Sequence, residues 1–173
     1  AFEQNVHILS SIIKKEHCDK KIFAIGESVG ALIILSMALK NKVLFDGIVC
    51  ISPAFKSKAP LTFTDYFKIF LPLLYNPKNL FKLPFRADMC THDKDYIKII
   101  ESDYDKDLLS TSKVLFDIFI TQIYMRAAKI ELDIPLLFLL AGDDKLVDSF
   151  VSKKFFDKLN LHDKTILEYP GMY

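Results

Sequence analysis

The sequence predicts an α/β fold: a parallel sheet with helices on both faces. Three observations support this prediction. Short apolar runs typical of buried strands alternate with helix-compatible segments, the first run leads directly into a glycine-flanked serine, and a long aromatic and proline-rich segment interrupts the alternation. Strands that alternate with helices are joined by crossover connections, and such connections make neighbouring strands parallel.

The first half of the predicted core contains two helices and two strands. Residues 3 to 17 are predicted to form an amphipathic helix, because apolar residues recur there every three or four positions. The apolar run Lys21 to Ile25 follows as a strand, and Ala31 to Lys40 as a buried helix. The next strand, Gly47 to Ile51, ends at the Ser52-Pro53 pair, because proline cannot continue a strand ladder.

The alternation stops near residue 55 and resumes near residue 132. The interrupting segment holds an aromatic and proline-rich stretch, a charged turn region and a helix predicted over Ser112 to Ile130. After it come a strand from Pro135 to Ala141, a helix from about Ser149 to Leu159, and a strand from Thr165 to Tyr169.

This order predicts three parts: core at 1–54, a mainly helical insertion at 55–131, and core at 132–173. Ligands bind at the carboxyl ends of parallel strands, where the connecting loops lie. An insertion that begins at such an end is therefore expected to form a cap over a site.

The segment Gly26-Glu27-Ser28-Val29-Gly30 has the pattern of a nucleophile elbow, in which a serine occupies the corner between a strand and a helix. Such a turn holds Ser28 in a strained backbone conformation with its Oγ exposed. Side chains at positions 26 and 30 are expected to collide with the neighbouring strand and helix. The Val29 amide would begin the helix unpaired and could donate to an oxyanion. The alternative is a structural serine in an ordinary turn.

Composition argues against several classes of function. The net charge of +1, from 23 basic and 22 acidic residues, provides no electrostatic basis for binding nucleic acid. The longest apolar stretches are shorter than the ~20 residues of a membrane-spanning helix. Cys18, Cys50 and Cys90 form no C-x-x-C pair, which argues against a disulfide framework or zinc site and favours a reducing compartment, the cytoplasm. We predict no metal and no cofactor.

The elbow, the strand ending at Pro53 and the stretch from Leu139 to Asp148 together resemble the α/β-hydrolase superfamily. The resemblance is greatest to the branch of monoacylglycerol lipases, lysophospholipases and serine aminopeptidases, and it covers essentially the whole chain. The segment from Thr91 to Asp105 also resembles the cap of these lipases. The resemblance implies a catalytic triad whose acid is Asp144, because the acid of this branch directly precedes a basic residue, here Lys145. The alternative is that Asp143 and Asp144 are both simple turn residues.

The resemblance also places the catalytic histidine just beyond Tyr173, and the early strands with the second oxyanion donor before this chain. The four histidines present are poor substitutes. His162 is predicted at the far end of the last strand, and His7 and His17 lie on the first helix. His92 lies in the insertion and would approach the site only through an unusual fold. No pair of histidines has metal-ligand spacing.

The function that the resemblance implies is a serine hydrolase acting on carboxylic esters. The expected substrate is a small ester or a lipid ester such as a monoacylglycerol or lysophospholipid. A peptidase or amide hydrolase on the same scaffold and a non-catalytic α/β-hydrolase-like binding module are alternatives. The segment Tyr66 to Tyr75 would wall an acyl-chain pocket and make transient contact with a membrane surface, or would form only the core of the cap. The sequence does not define an oligomeric state.

Overall fold

The computed structural model describes residues 2–40, 44–59, 61–103, 109–127 and 131–173. The helices in these ranges are α1 (Phe2–Glu16), α2 (Val29–Lys40), α3 (Phe63–Phe70), α4 (Lys94–Asp103), α5 (Ser112–Ala127) and α6 (Ser149–Lys158). The strands are β1 (Phe23–Glu27), β2 (Gly47–Ile51), β3 (Leu80–Lys82), β4 (Leu109–Thr111), β5 (Leu136–Ala141) and β6 (Lys164–Tyr169). Short 3-10 turns cover Leu71–Leu74 and Ala87–Met89.

The main sheet has the strand order β1-β2-β5-β6, and all its neighbouring strands are parallel. The predicted α/β class with a parallel sheet is thereby confirmed, whereas the predicted cover on both faces is present on one face among the described residues. β1 begins and ends two residues later than predicted, because its ladder with β2 continues through Gly26, opposite Cys50, and Glu27, opposite Ile51. The first residues of the elbow therefore belong to the strand. β3 and β4 form a separate antiparallel pair.

The described helices bury one face of the main sheet. Side chains alternate between the faces of a strand, so every second residue shares an environment. Ile48, Leu136, Phe138 and Leu140 belong to one core cluster with residues of α2 and α6. In the opposite row, Phe23 and Ile25 are largely exposed, and Leu167 is 45% exposed. Val49, Leu137 and Leu139 in the middle of this row are half-buried.

The elements between β2 and β5 in the chain contribute no strand to the main sheet. The division at residues 55 and 131 itself remains a proposal. The predicted helix from Ser112 is α5 as far as Ala127, while its last three positions, 128–130, lie outside the described residues. Tyr104 and Asp105, in the segment that resembles a lipase cap, lie outside them as well. Within the described ranges, no helix has the length and apolarity required to cross a bilayer.

Strand β1 lies at the edge of the sheet, since in the described part of the chain it pairs with β2 alone. Phe23 is 62% exposed and Ile25 is 69% exposed. Unpaired backbone groups beside exposed apolar side chains favour strand pairing between molecules. We expect the 173-residue chain to associate at concentrations of tens of micromolar, and we expect Ile25→Lys to reduce that association.

Size-exclusion chromatography with light scattering measures this effect. Phe150→Lys is the matched control, because Phe150 is 74% exposed and lies on α6 rather than on the edge strand. A monomeric unsubstituted chain, or equal effects of the two substitutions, would contradict the prediction.

Candidate active site

Ser28 occupies a strained turn between β1 and α2. Its φ is 51°, and Ser52 is the other non-glycine residue with positive φ among those described. Two backbone hydrogen bonds fix the turn: the Ser28 amide donates to the Ile51 carbonyl at 2.9 Å, and the Ala54 amide donates to the Ser28 carbonyl at 3.1 Å. A left-handed conformation costs a non-glycine residue ~1–2 kcal/mol. The predicted strain at position 28 is confirmed, and it persists because the surrounding backbone holds it.

The two elbow glycines differ in what surrounds them. A Cβ on Gly26 would lie 2.7 Å from the carbonyl carbon and oxygen of Gly30 and from the Ala31 nitrogen. Backbone atoms cannot move aside, so glycine is required there. A Cβ on Gly30 would meet no atom within 4 Å. The prediction of a collision at position 30 is wrong for this structure, because that Cβ would project into open space.

The Val29 amide lies at the N-terminus of α2, where the first amides of a helix have no acceptor within the helix. The positive end of the helix dipole lies at the same place. Ser28 and Val29 both line one cavity.

The loop between β5 and α6, residues 142–148, is called the acid loop here because it carries two neighbouring aspartates. The two aspartates lie in different environments. Asp144 is 8% exposed, and its Oδ1 accepts hydrogen bonds from the amides of Leu146 at 2.8 Å and Val147 at 2.7 Å. The described residues donate no hydrogen bond to its Oδ2. Asp143 is exposed, and its amide donates to the Met172 carbonyl at 2.9 Å. The carboxylate of Asp144 is therefore the one with a fixed orientation.

The first residues of the insertion brace this loop. Ser57 forms an isolated antiparallel bridge with Val147, and the Lys58 ammonium donates to the Asp144 carbonyl oxygen at 2.8 Å. Asp148 caps α6 and pairs with Lys56 at 3.1 Å. Burial opposes ionisation of Asp148, but hydrogen bonds from Lys56 and the Val151 amide outweigh it and hold the pKa below its ordinary value. No sequence pattern predicted the contact of Lys58, which spans 86 positions.

A cavity of about 440 Å³ lies between the core and the insertion. Ser28 and Val29 line it together with Leu146 and Val147 of the acid loop, so the elbow and the acid loop face the same space. The rest of the wall is largely apolar and comes mainly from the insertion, including Leu61, Tyr66, Ile69, Phe70, Leu83, Pro84, Phe85, Leu115, Ile118 and Phe119. Gln122 of α5 fixes this wall to the core, because its Nε2 donates to the Ala54 carbonyl at 2.8 Å.

The aromatic stretch of the insertion has two faces. On α3, Tyr66, Ile69 and Phe70 line the cavity. Phe63 and Phe67 of the same helix are 77% and 57% exposed. The stretch therefore forms a pocket wall on one side and an exposed apolar surface on the other. Its role is thus not limited to packing within the insertion, the alternative given by the sequence.

The segment before α4 runs beside the acid loop. Burial raises the pKa of the Cys90 thiol, and the nearby carboxylates of Asp144 and Glu27 raise it further.

The Nε2 atom of His92 lies 2.9 Å from the Gly171 carbonyl oxygen, and its ring centroid lies 3.7 Å from that of Tyr173. His92 therefore lies against the segment that follows β6, a contact that the sequence did not predict, and it does not line the cavity beside Ser28. His162 lies just before β6, at the opposite end of that strand, as predicted.

The surroundings of Cys50 agree with its predicted role as a small core residue. Cys50 is fully buried in β2, and burial raises the pKa of its thiol. All three cysteines are free thiols in the described structure.

A model of the serine aminopeptidase family, S33, matches residues 2–173. The chain belongs to this family of α/β-hydrolases. The predicted resemblance is thereby confirmed, including its branch, since curated relatives are lipid hydrolases. Phospholipase YtpA of Bacillus subtilis is 26% identical over 190 residues, which cover all of this chain and 68% of the phospholipase. Monoglyceride lipase of Mus musculus is 27% identical over 172 residues, which cover 93% of this chain and 54% of the lipase.

Solved structures share the fold. A monoacylglycerol lipase of Paleococcus ferrophilus superposes with a TM-score of 0.85 at 23% identity, over 99% of this chain and 66% of that lipase. A soluble variant of monoglyceride lipase from Saccharomyces cerevisiae, in complex with a substrate analogue, superposes with a TM-score of 0.81 at 21% identity. That match covers 98% of this chain and 58% of the yeast lipase. The chain thus spans about half to two thirds of the length of these relatives.

The different surroundings of the two elbow glycines predict different effects of substitution. In the 173-residue chain, we expect Gly26→Ala to lower the free energy of unfolding by about 1–3 kcal/mol, because its Cβ would overlap backbone atoms. Gly30→Ala should be neutral or stabilising by up to about 1 kcal/mol, because alanine favours a helix and meets open space. Thermal unfolding at low protein concentration compares the two variants. Equal destabilisation by both would show that the space beside Gly30 is filled in solution.

Proposed function

We propose that the protein is a serine hydrolase that cleaves carboxylic esters, above all lipid esters, through an acyl-enzyme on Ser28. The observation that carries this proposal is the shared cavity, in which a strained serine and a helix N-terminus face the braced acid loop across an apolar space. The matched family and its lipase relatives support the same class of reaction.

In the proposed reaction, Ser28 Oγ attacks the acyl carbonyl carbon while a histidine takes its proton. The oxyanion of the tetrahedral intermediate accepts a hydrogen bond from the Val29 amide. The imidazolium then protonates the departing alcohol, which leaves the acyl group on Ser28. Water, deprotonated by the same histidine, attacks the ester, and release of the carboxylic acid restores the serine.

Asp144 is the proposed acid of this triad. Its Oδ1 is held by two backbone amides, which leaves Oδ2 to accept a hydrogen bond from the imidazole. That bond would hold the correct tautomer and stabilise the imidazolium.

We place the base just after Tyr173, outside this chain. The segment that follows β6 supports this position, because it lies against the acid loop: the Gly142 amide donates to the Tyr169 carbonyl at 3.0 Å, and the Asp143 amide donates to the Met172 carbonyl at 2.9 Å. A residue that continues this segment starts beside the loop that carries Asp144.

The cavity wall favours a substrate with an acyl chain, and monoacylglycerols and lysophospholipids both meet this requirement. Among the described lining residues, the charged ones are Lys56, which is paired with Asp148, and Arg126, and none is acidic. The positive charge available to a ligand therefore lies mainly on Arg126. This favours an alcohol portion that bears an anion, as in a lysophospholipid. Turnover of an anionic lysophospholipid and of a monoacylglycerol with the same acyl chain decides between the two.

The exposed face of the insertion is proposed to touch a membrane surface transiently. Phe63, Phe67 and Leu74 expose more than half of their surface, at 77%, 57% and 84%. Such side chains insert at the boundary between head groups and acyl chains. Lipid esters reside in membranes, so this contact would bring the substrate to the cavity.

We expect Ser28 in the full-length protein to react with a fluorophosphonate probe, and Ser28→Ala to abolish both labelling and ester turnover. Ser52→Ala is the matched control, because Ser52 is also a serine with positive φ at the carboxyl end of a strand. Labelling that persists without Ser28 would place the nucleophile elsewhere, and a protein that neither labels nor turns over esters would support a binding module. Amide substrates cleaved faster than esters would support a peptidase.

The two aspartates of the acid loop should differ strongly in their contribution to turnover. We expect Asp144→Asn to lower kcat by about 10³-fold or more, because an amide cannot hold the imidazole tautomer or stabilise its charge. Asp143→Asn should change kcat by less than about threefold, since Asp143 is exposed. Steady-state kinetics on a soluble short-chain ester measures both variants, and the reverse ranking would identify Asp143 as the acid.

A further inference from the structure

We infer that His92 is a positioning residue: it fixes the segment that follows β6 and thereby sets the turnover rate. This inference rests on the proposed function, because it concerns the segment that would lead into the catalytic base.

The first contact is a hydrogen bond between the insertion and this segment. His92 Nε2 and the Gly171 carbonyl oxygen are 2.9 Å apart. A carbonyl oxygen only accepts, so Nε2 must carry the proton, either in the neutral Nε2–H tautomer or in the imidazolium.

The second contact holds the side chain of Tyr173 from two directions. The His92 ring meets the Tyr173 ring edge-on with centroids 3.7 Å apart, and the Lys145 ammonium lies 3.7 Å from the centroid of the same ring. Lys145 directly follows Asp144. The Tyr173 ring is thus held by the insertion through His92 and by the acid loop through Lys145.

The backbone on both sides of His92 is itself fixed. The Cys90 amide donates to the carbonyl of buried Ala87 at 3.0 Å. Asp93 caps α4, because its Oδ1 accepts hydrogen bonds from the amides of Asp95 at 2.8 Å and Tyr96 at 3.2 Å. His92 is exposed, so its removal leaves the core intact and takes away one of the contacts that hold the segment, while those from the Gly142 and Asp143 amides remain.

The catalytic consequence follows from geometry. A base placed directly after Tyr173 takes its position from the Gly171–Tyr173 segment, and a displacement of about 1 Å in a catalytic group can lower a rate by about 10²-fold. Substrate binding depends on the cavity wall, which His92 does not line. Loss of His92 should therefore lower kcat and leave KM unchanged.

The test uses the full-length protein with a soluble short-chain ester and a fluorophosphonate probe. We expect His92→Ala to lower kcat and the rate of Ser28 labelling by about 10-fold each, with KM within about twofold of the unsubstituted protein. His92→Gln should recover part of the loss, because its amide nitrogen can still donate to the Gly171 carbonyl. His162→Ala is the control, since this exposed histidine lies at the other end of β6. Equal melting temperatures would show that the fold is preserved.

Three results would overturn the inference: a kcat for His92→Ala within about twofold of the unsubstituted protein, a loss carried by KM, or the same loss in His162→Ala. The failure of this inference is distinct from failure of the proposed function. If Ser28→Ala abolishes turnover while His92→Ala is normal, only the role of His92 falls. If Ser28→Ala remains active, both the proposed function and the proposed role of His92 are rejected.

Discussion

The hydrogen bond from the Ser28 amide to the Ile51 carbonyl, 2.9 Å long, is the contact on which the site depends. It extends the parallel ladder of β1 and β2 one residue beyond the strand, at the point where the chain must turn into α2. The chain meets both requirements only with a left-handed backbone at Ser28, whose φ is 51°. The same ladder aligns the carboxyl ends of β1, β2 and β5, so the loops after these strands share one edge of the sheet.

The segment between β2 and β5, the proposed insertion, contributes most of the cavity wall and also contacts the loop that carries Asp144. It begins with a segment that pairs with the acid loop, and Lys58 holds the carbonyl of the same Asp144 whose carboxylate is the proposed acid. The side chain of Gln122, on α5, donates a hydrogen bond to the Ala54 carbonyl in the loop after β2. These contacts join the cavity wall to the loops that carry the proposed catalytic residues. A substitution in the insertion is therefore expected to affect the positions of those residues through these hydrogen bonds.

Apolar surface is distributed unevenly over the molecule. The face of the sheet beneath α2 and α6 is buried in one core cluster, while Phe23 and Ile25 on the edge strand are largely exposed. The outer face of α3 is exposed as well, although its inner face lines the cavity. The two exposed surfaces have different proposed consequences: strand pairing at β1, and contact with lipid at α3.

Local sequence determined the alternation of strands and helices, the corner at Ser28 and the turn that carries Asp143 and Asp144, because periodicity and turn residues act over a few neighbouring positions. Only tertiary structure decided the end of β1 at Glu27, which its ladder with β2 sets, and the open space beside Gly30. The hydrogen bonds that orient the Asp144 carboxylate are local as well, because their donors, the amides of Leu146 and Val147, lie two and three positions further along the chain. The contact of His92 with Gly171 spans 79 positions, and it depends on the path of the whole insertion, which no short pattern in the sequence encodes.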